Sequence, residues 1–272
     1  MIERTNILGV GVSAVNMTLA LETIDHWIAH ETPHYVCVTG VHGLVESYRD
    51  AKLKTIHNKA GLVKPDGMPL VWISRAKGQK HVDRVYGPDL MLALCEHSVS
   101  RGYRHFLYGG TPTVVESLER RLIECYPGIQ IVGRGCRPFR ALTQVEDAGF
   151  VRDIKGARAH IVWVGLSTPK QERWMAAHVA QLGTPALIGV GAAFDFLAGT
   201  KRQAPQWMRR SGLEWLFRLL MEPPALAPLF DQQSAFRHAL DSSGVARNSP
   251  SRIIQDSRRR SSADLGSQCC ST

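Results

Sequence analysis

Strand-length apolar runs alternate with helix-length amphipathic stretches along most of this chain, and no other feature constrains its fold as tightly. The runs expected as strands are Ile7–Val12, Tyr35–Thr39, Ala60–Lys64, Arg104–Tyr108, Ile129–Gly133, His160–Gly165 and Ala186–Gly191. Most read as continuous apolar segments, as parallel strands covered on both faces do. Helices are expected near 17–30, 42–57, 68–77, 88–101, 112–125, 143–156, 169–181 and 205–221. Asn16, Thr111 and Thr168 stand where N-caps belong, the last two followed by proline. The alternation predicts an α/β fold: a Rossmann-like open, mostly parallel sheet with helices on both faces. Ligands of such sheets bind at the carboxyl ends of the strands, so chemistry is sought there.

Composition narrows the function classes. The chain has 272 residues, 44% of them hydrophobic, enough to build a core without disulfide staples. No uncharged apolar run reaches the roughly 18 residues of a membrane-spanning helix. The six cysteines form no C-x-x-C pair, which points to reduced thiols in a cytoplasmic protein with no zinc site. The net charge of +9 admits nucleic acid, an anionic membrane or a phosphorylated substrate as partner. Because the basic residues are spread and no basic aromatic motif appears, nucleic acid is disfavoured. After Glu222 the composition shifts to Ser, Arg, Pro and Gln. The expected organisation is therefore a catalytic domain over 1–222 and a largely disordered tail over 223–272, with a short helix possible up to Leu240.

Several strand ends could carry chemistry. Asp66, in Pro65-Asp66-Gly67, reads first as the N-cap of the next helix, with a carboxylate aimed at a substrate as the alternative. Thr39-Gly40 ends the second expected strand, with His42 just beyond. Gly109 and Gly110 link a strand to a helix, where backbone N–H groups can face a diphosphate, although Pro112 removes one donor. Ser167-Thr168-Pro169 leads into Lys170, Gln171 and Glu172 in a first helical turn. The segment Gly189-Val190-Gly191-Ala192-Ala193-Phe194-Asp195 demands close approach by a ligand or a helix. It imitates a dinucleotide fingerprint, as does Gly9-Val10-Gly11, but neither has the full spacing, so a nicotinamide enzyme ranks low.

Taken in order, PDGMPLVW, RVYGPDLMLALC, FLYGG, VGLSTPKQERW, GVGAAFDFLAG and QAPQWMRRSGLEWLFRLLMEP resemble the WecG/TagA/CpsF family of bacterial glycosyltransferases over about residues 5 to 222. The resemblance implies inverting transfer of a sugar, often N-acetylmannosamine, from a UDP-sugar to a polyprenyl-diphosphate-linked acceptor. The setting it implies is cell-surface polysaccharide biosynthesis at the cytoplasmic face of the membrane. It implies that Asp66 is the general base, that Thr39 and Arg84 belong to the catalytic set, and that Gln171 contacts substrate. It also implies that the glycine-rich segments at 109–110 and 189–195, with Gly191 and Asp195, lie on the nucleotide side. No D-x-D pair occurs, so no metal or other cofactor is expected. The leaving UDP would be neutralised by helix N-termini and by Arg84, Lys170 and Arg202.

Two departures from the family pattern stand out. The family's T-x-N is here Thr39-Gly40-Val41, which leaves His42 as the replacement sugar contact. The arginine-rich membrane-docking segment after Glu222-Pro223 is replaced by Pro-rich and Ser/Arg-rich sequence, so docking to an anionic membrane is expected to be weakened. The rival readings are a catalytically silent UDP-sugar-binding protein and a Rossmann-type enzyme using NAD or a methyl donor.

Overall fold

Six parallel strands in the order β4-β3-β8-β7-β5-β6 carry the fold of this computed structural model. It describes residues 2–217 except 139, 141 and 215, and residues 234–240 except 237. The strands are β3 (His34–Thr39), β4 (Leu62–Pro65), β5 (Arg104–Gly109), β6 (Gln130–Gly135), β7 (Ile161–Gly165) and β8 (Ala186–Gly189). The remaining strands among the described residues, β1 (Arg4–Ile7) and β2 (Val10–Ser13), form an antiparallel hairpin.

Side chains alternate between the two sheet faces, and two clusters result. Val36, Leu62, Leu107, Ile161, Trp163 and Ile188 pack under α1 (Met17–Ala29), α5 (Gly87–Val99), α6 (Pro112–Cys125) and α9 (Ala193–Ala198). Tyr35, Cys37, Val63, Phe106, Val162 and Leu187 pack under α2 (Val41–Arg49), α7 (Gln144–Gly156), α8 (Lys170–Leu182) and the hairpin. Both faces are thus covered, which is why the strands read as unbroken apolar runs. Neighbouring strands β5 and β7 send their following helices, α6 and α8, to opposite faces. The topological switch point, where such sheets bind ligands, therefore lies between β5 and β7, whose end residues Gly109 and Gly165 pair in register.

Three expectations need correction. The expected strand Ile7–Val12 is a hairpin, because Leu8 and Gly9 turn with φ of 53° and 86° and Asn6 Oδ1 accepts from Gly9 N at 2.9 Å. The hairpin shields the open edge of β4, where Val63 N donates to Ser13 Oγ at 3.0 Å. The expected helix 42–57 is two helices, α2 and α3 (Ala51–Lys59), broken where the Asp50 carboxylate accepts from Lys52 N and Leu53 N. Thr168 does not cap α8; Pro169 occupies the cap position, and the Thr168 hydroxyl turns inward to Glu172. Asn16 and Thr111 do cap, accepting from Leu19 N and Val114 N. Of the helix expected over 205–221, α10 (Gln206–Arg210) is described, and residues 218–221 lie outside the described residues. So does most of the expected tail, although Phe236 and Ala239 are buried among the second cluster.

One core group makes stability depend on pH. His105 is 1% exposed and accepts at Nδ1 from Trp163 Nε1 at 3.0 Å, so the ring is neutral. Burial, with the nearby His160, pushes its pKa down to about 4. The folded chain then binds fewer protons than the unfolded chain between pH 6.5 and about 4. The stability from this group is complete above pH 6.5 and is lost as pH falls through that window, by about 3 kcal/mol. Urea midpoints followed from pH 7 to pH 4 should fall accordingly, and the fall should flatten in His105→Gln.

Candidate active site

The carboxyl ends of the strands form a row of small residues. Gly135, Gly109, Gly165 and Gly189 end β6, β5, β7 and β8, and Thr39 and Pro65 end β3 and β4 in paired register. Gly109 has φ of 112°, and a Cβ there would lie 2.7 Å from Gly165 O. At Gly165 a Cβ would meet the Phe194 ring at 2.5 Å, so helix α9 closes against the end of β7. At Gly189 it would meet Met175 at 2.8 Å and Gln171 at 3.0 Å.

Asp66 sits at the exit of β4, with its side chain 27% exposed. It does not cap α4 (Met68–Ala76), whose N-cap Gly67 offers no side-chain bond. Its Oδ1 instead accepts from Gly87 N at 2.9 Å, at the first residue of α5. Segment 84–87 straps the whole turn. Val85 N donates to Pro65 O at 2.9 Å, and Arg84 Nε donates to Asp66 O. From the other side, Asp66 N donates to Thr39 O at 3.0 Å. Among the described residues, none hydrogen-bonds Asp66 Oδ2. The carboxylate is therefore fixed through one oxygen, Oδ1.

Lys64 lies beneath it, fully buried on β4. Its ammonium donates to Val85 O and stands 3.5 Å from Asp66 Oδ1. Burial pulls its pKa down to about 8, against the opposing pull of Asp66.

The structure groups Arg84 with residues the sequence reading missed. Its guanidinium donates to Arg209 O at 2.9 Å, pairs with Glu214 at 2.5 Å and stacks over the Tyr86 ring at 4.3 Å. Tyr86 and Glu214 bond at 3.4 Å, and Arg209 pairs with Asp89 at 3.3 Å. Arg84 thus ties the Asp66 turn to the chain following α10. These partners lie 125 and 130 residues away in sequence, so no local signal reveals them.

A second polar group lies at the start of α8. Gln171 is 2% exposed; its Oε1 accepts from Gly191 N at 3.0 Å, and its Nε2 donates to Glu172 Oε1 at 2.9 Å. Glu172 is fully buried and also accepts from Thr168 Oγ1 at 3.0 Å, while its Oε2 has no partner. Gln171 and Glu172 are therefore buried rather than solvated, and Glu172 sets the orientation of the Gln171 amide. Lys170, by contrast, is exposed at the first position of α8.

Thr39 is fully buried, with its hydroxyl unpartnered, and His42 Nδ1 is likewise buried without a partner. Gly110 has φ of 70° and Gly191 φ of 54°, backbone that favours glycine. Asp195, on α9, takes a contact from Thr200 Oγ1 at 3.4 Å. Arg202 is exposed beyond α9. Tyr108 OH and Arg137 Nε, near the ends of β5 and β6, are buried and unpartnered, and sequence reasoning passed over both. Among the described residues, no group of three or more His, Cys, Asp or Glu could hold a metal ion, and no helix is long and apolar enough to cross a membrane.

The chain matches the model of the glycosyl transferase WecG/TagA/CpsF family over residues 5–234. Among curated proteins it is 28% identical over 222 residues to the N-acetylglucosaminyldiphosphoundecaprenol N-acetyl-beta-D-mannosaminyltransferase of Staphylococcus aureus strain MW2, covering 80% of this chain and 85% of that one. The protein of the same name from strain MRSA252 is 27% identical over the same shares.

Proposed function

The chain belongs to the WecG/TagA/CpsF family of glycosyltransferases, and from that premise we propose that it moves N-acetylmannosamine or a related hexose from a UDP-sugar to a polyprenyl-diphosphate-linked acceptor. The names of its Staphylococcus aureus relatives support this acceptor class and this sugar. The observation that carries the reading is the Asp66 carboxylate at the ligand edge of the sheet, anchored by Gly87 N through Oδ1 alone.

In this reading the acceptor hydroxyl attacks the anomeric carbon from the face opposite UDP and inverts it. Asp66 Oδ2 takes the hydroxyl proton as the new bond forms. A carboxylate is a weak base, but it suffices when the proton leaves late. The glycosidic bond breaks toward UDP, whose charge is met by the N-terminus of α6 behind Gly109 and Gly110 and by Lys170 and Arg202. Gln171, clamped by Glu172 and Gly191 N, presents a fixed amide next to the nucleotide side, with Gly191 and Asp195. Thr39 and His42 contribute the unpartnered hydroxyl and ring nitrogen that a sugar can satisfy. Arg84 acts in the catalytic set by holding Asp66 O. The net charge of +9 suits an acidic donor and work at an anionic membrane surface.

Calorimetry separates this function from its rivals. UDP is expected to bind, with equal affinity in the presence of a chelator, and NAD is expected not to bind. Binding of NAD without UDP would refute the glycosyltransferase assignment.

A further inference from the structure

A fully buried lysine is costly unless it has a task or a partner. Lys64 has only partial compensation: one backbone carbonyl and a carboxylate 3.5 Å away. An apolar residue at the same place on β4 would continue the run Leu62-Val63 and pack without that cost. The ammonium is fully buried, and its contacts are protein atoms. What it does touch is the one oxygen of Asp66 that is already fixed by Gly87 N.

We propose that Lys64 is the positioning residue of Asp66: its ammonium pins Oδ1, so that Oδ2 alone meets the acceptor hydroxyl. The contacts form one frame. Lys64 Nζ grips Val85 O, Val85 N grips Pro65 O, and Gly87 N grips Asp66 Oδ1. Both ends of the strap are thereby tied to the two residues flanking Pro65. The charged groups facing Lys64 are Asp66 on its own turn, Arg84 on the strap and Asp89 on α5. Arg84 opposes the ammonium and is itself neutralised by Glu214; Asp89 supports it but is shared with Arg209. Asp66 is thus the nearest counter-charge and the group that Lys64 controls.

The inference rests on Asp66 being the base, so three variants are measured together. In Lys64→Met, kcat is expected to fall about tenfold as the carboxylate loses its fixed orientation, while KM for the donor stays within about twofold. UDP affinity, measured by calorimetry, should likewise stay within about twofold. Lys64→Gln, which keeps a donor for Val85 O, should regain part of the lost kcat and serves if the methionine variant does not fold. Asp66→Asn is the control. Unchanged kcat in both lysine variants, with Asp66→Asn inactive, overturns this inference alone. Full transfer by Asp66→Asn overturns the base assignment and this inference with it.

Discussion

Asp66→Asn is expected to lower the rate of sugar transfer by about 10²–10⁴-fold while leaving UDP affinity nearly unchanged. The amide has the shape of the carboxylate, and its oxygen can still accept from Gly87 N, so the strap of residues 84–87 should hold. What disappears is the lone pair that takes the acceptor proton. A residue acting only as a link between strap and turn would keep most of its activity with this amide. Steady-state transfer and calorimetry on the same preparation separate the two roles. Transfer within threefold of wild type would leave Asp66 as a structural link.

Gly109→Ala is expected to damage both the sheet and the nucleotide side. At φ of 112° an alanine is strained by about 1–3 kcal/mol before any contact is counted. Its Cβ would then lie 2.7 Å from Gly165 O and 2.9 Å from Gly165 C, both backbone atoms that cannot swing aside. The paired ends of β5 and β7 must separate at the switch point. The melting temperature should fall by about 3–10 °C, and UDP affinity by more than about tenfold. Gly149→Ala is the matched control, since a Cβ there on α7 meets nothing within 4 Å and alanine favours a helix. If Gly109→Ala binds UDP like the control, the nucleotide lies elsewhere.

The sequence carried the sheet because of how the sheet is covered. Strands buried on both faces repeat Val, Ile and Leu without interruption, and the helices between them show one apolar side. The hairpin of β1 and β2 was hidden because its turn, Leu8-Gly9, sits inside an apolar run and is revealed only by left-handed backbone. The break between α2 and α3 was hidden because Asp50 could equally be a surface residue of one long helix.

The candidate site was legible in position and not in connection. Strand-end placement and the ordered motifs picked out Asp66, Thr39, Gly109, Gly110, Gln171 and Gly191, all of which lie at or just beyond the carboxyl edge. They could not show that Asp66 reaches Gly87 rather than capping its own helix, because that contact spans 21 residues of chain. Nor could they show that Arg84 meets Glu214 across 130 residues. Lys64 did leave a signal, a lysine in the second-to-last position of the strand Leu62-Val63-Lys64-Pro65. Its meaning depends on the strap that buries it.

The central claim is most directly tested by transfer of labelled sugar from UDP-N-acetylmannosamine to a short-chain polyprenyl-diphosphate-N-acetylglucosamine, with wild type and Asp66→Asn side by side. The expected result is a lipid-linked disaccharide from the wild-type chain, with inverted anomeric configuration, and at least about a hundredfold less from the variant. Equal product from both would remove Asp66 from the chemistry, and no product from wild type with this or any other UDP-sugar would contradict the assigned activity.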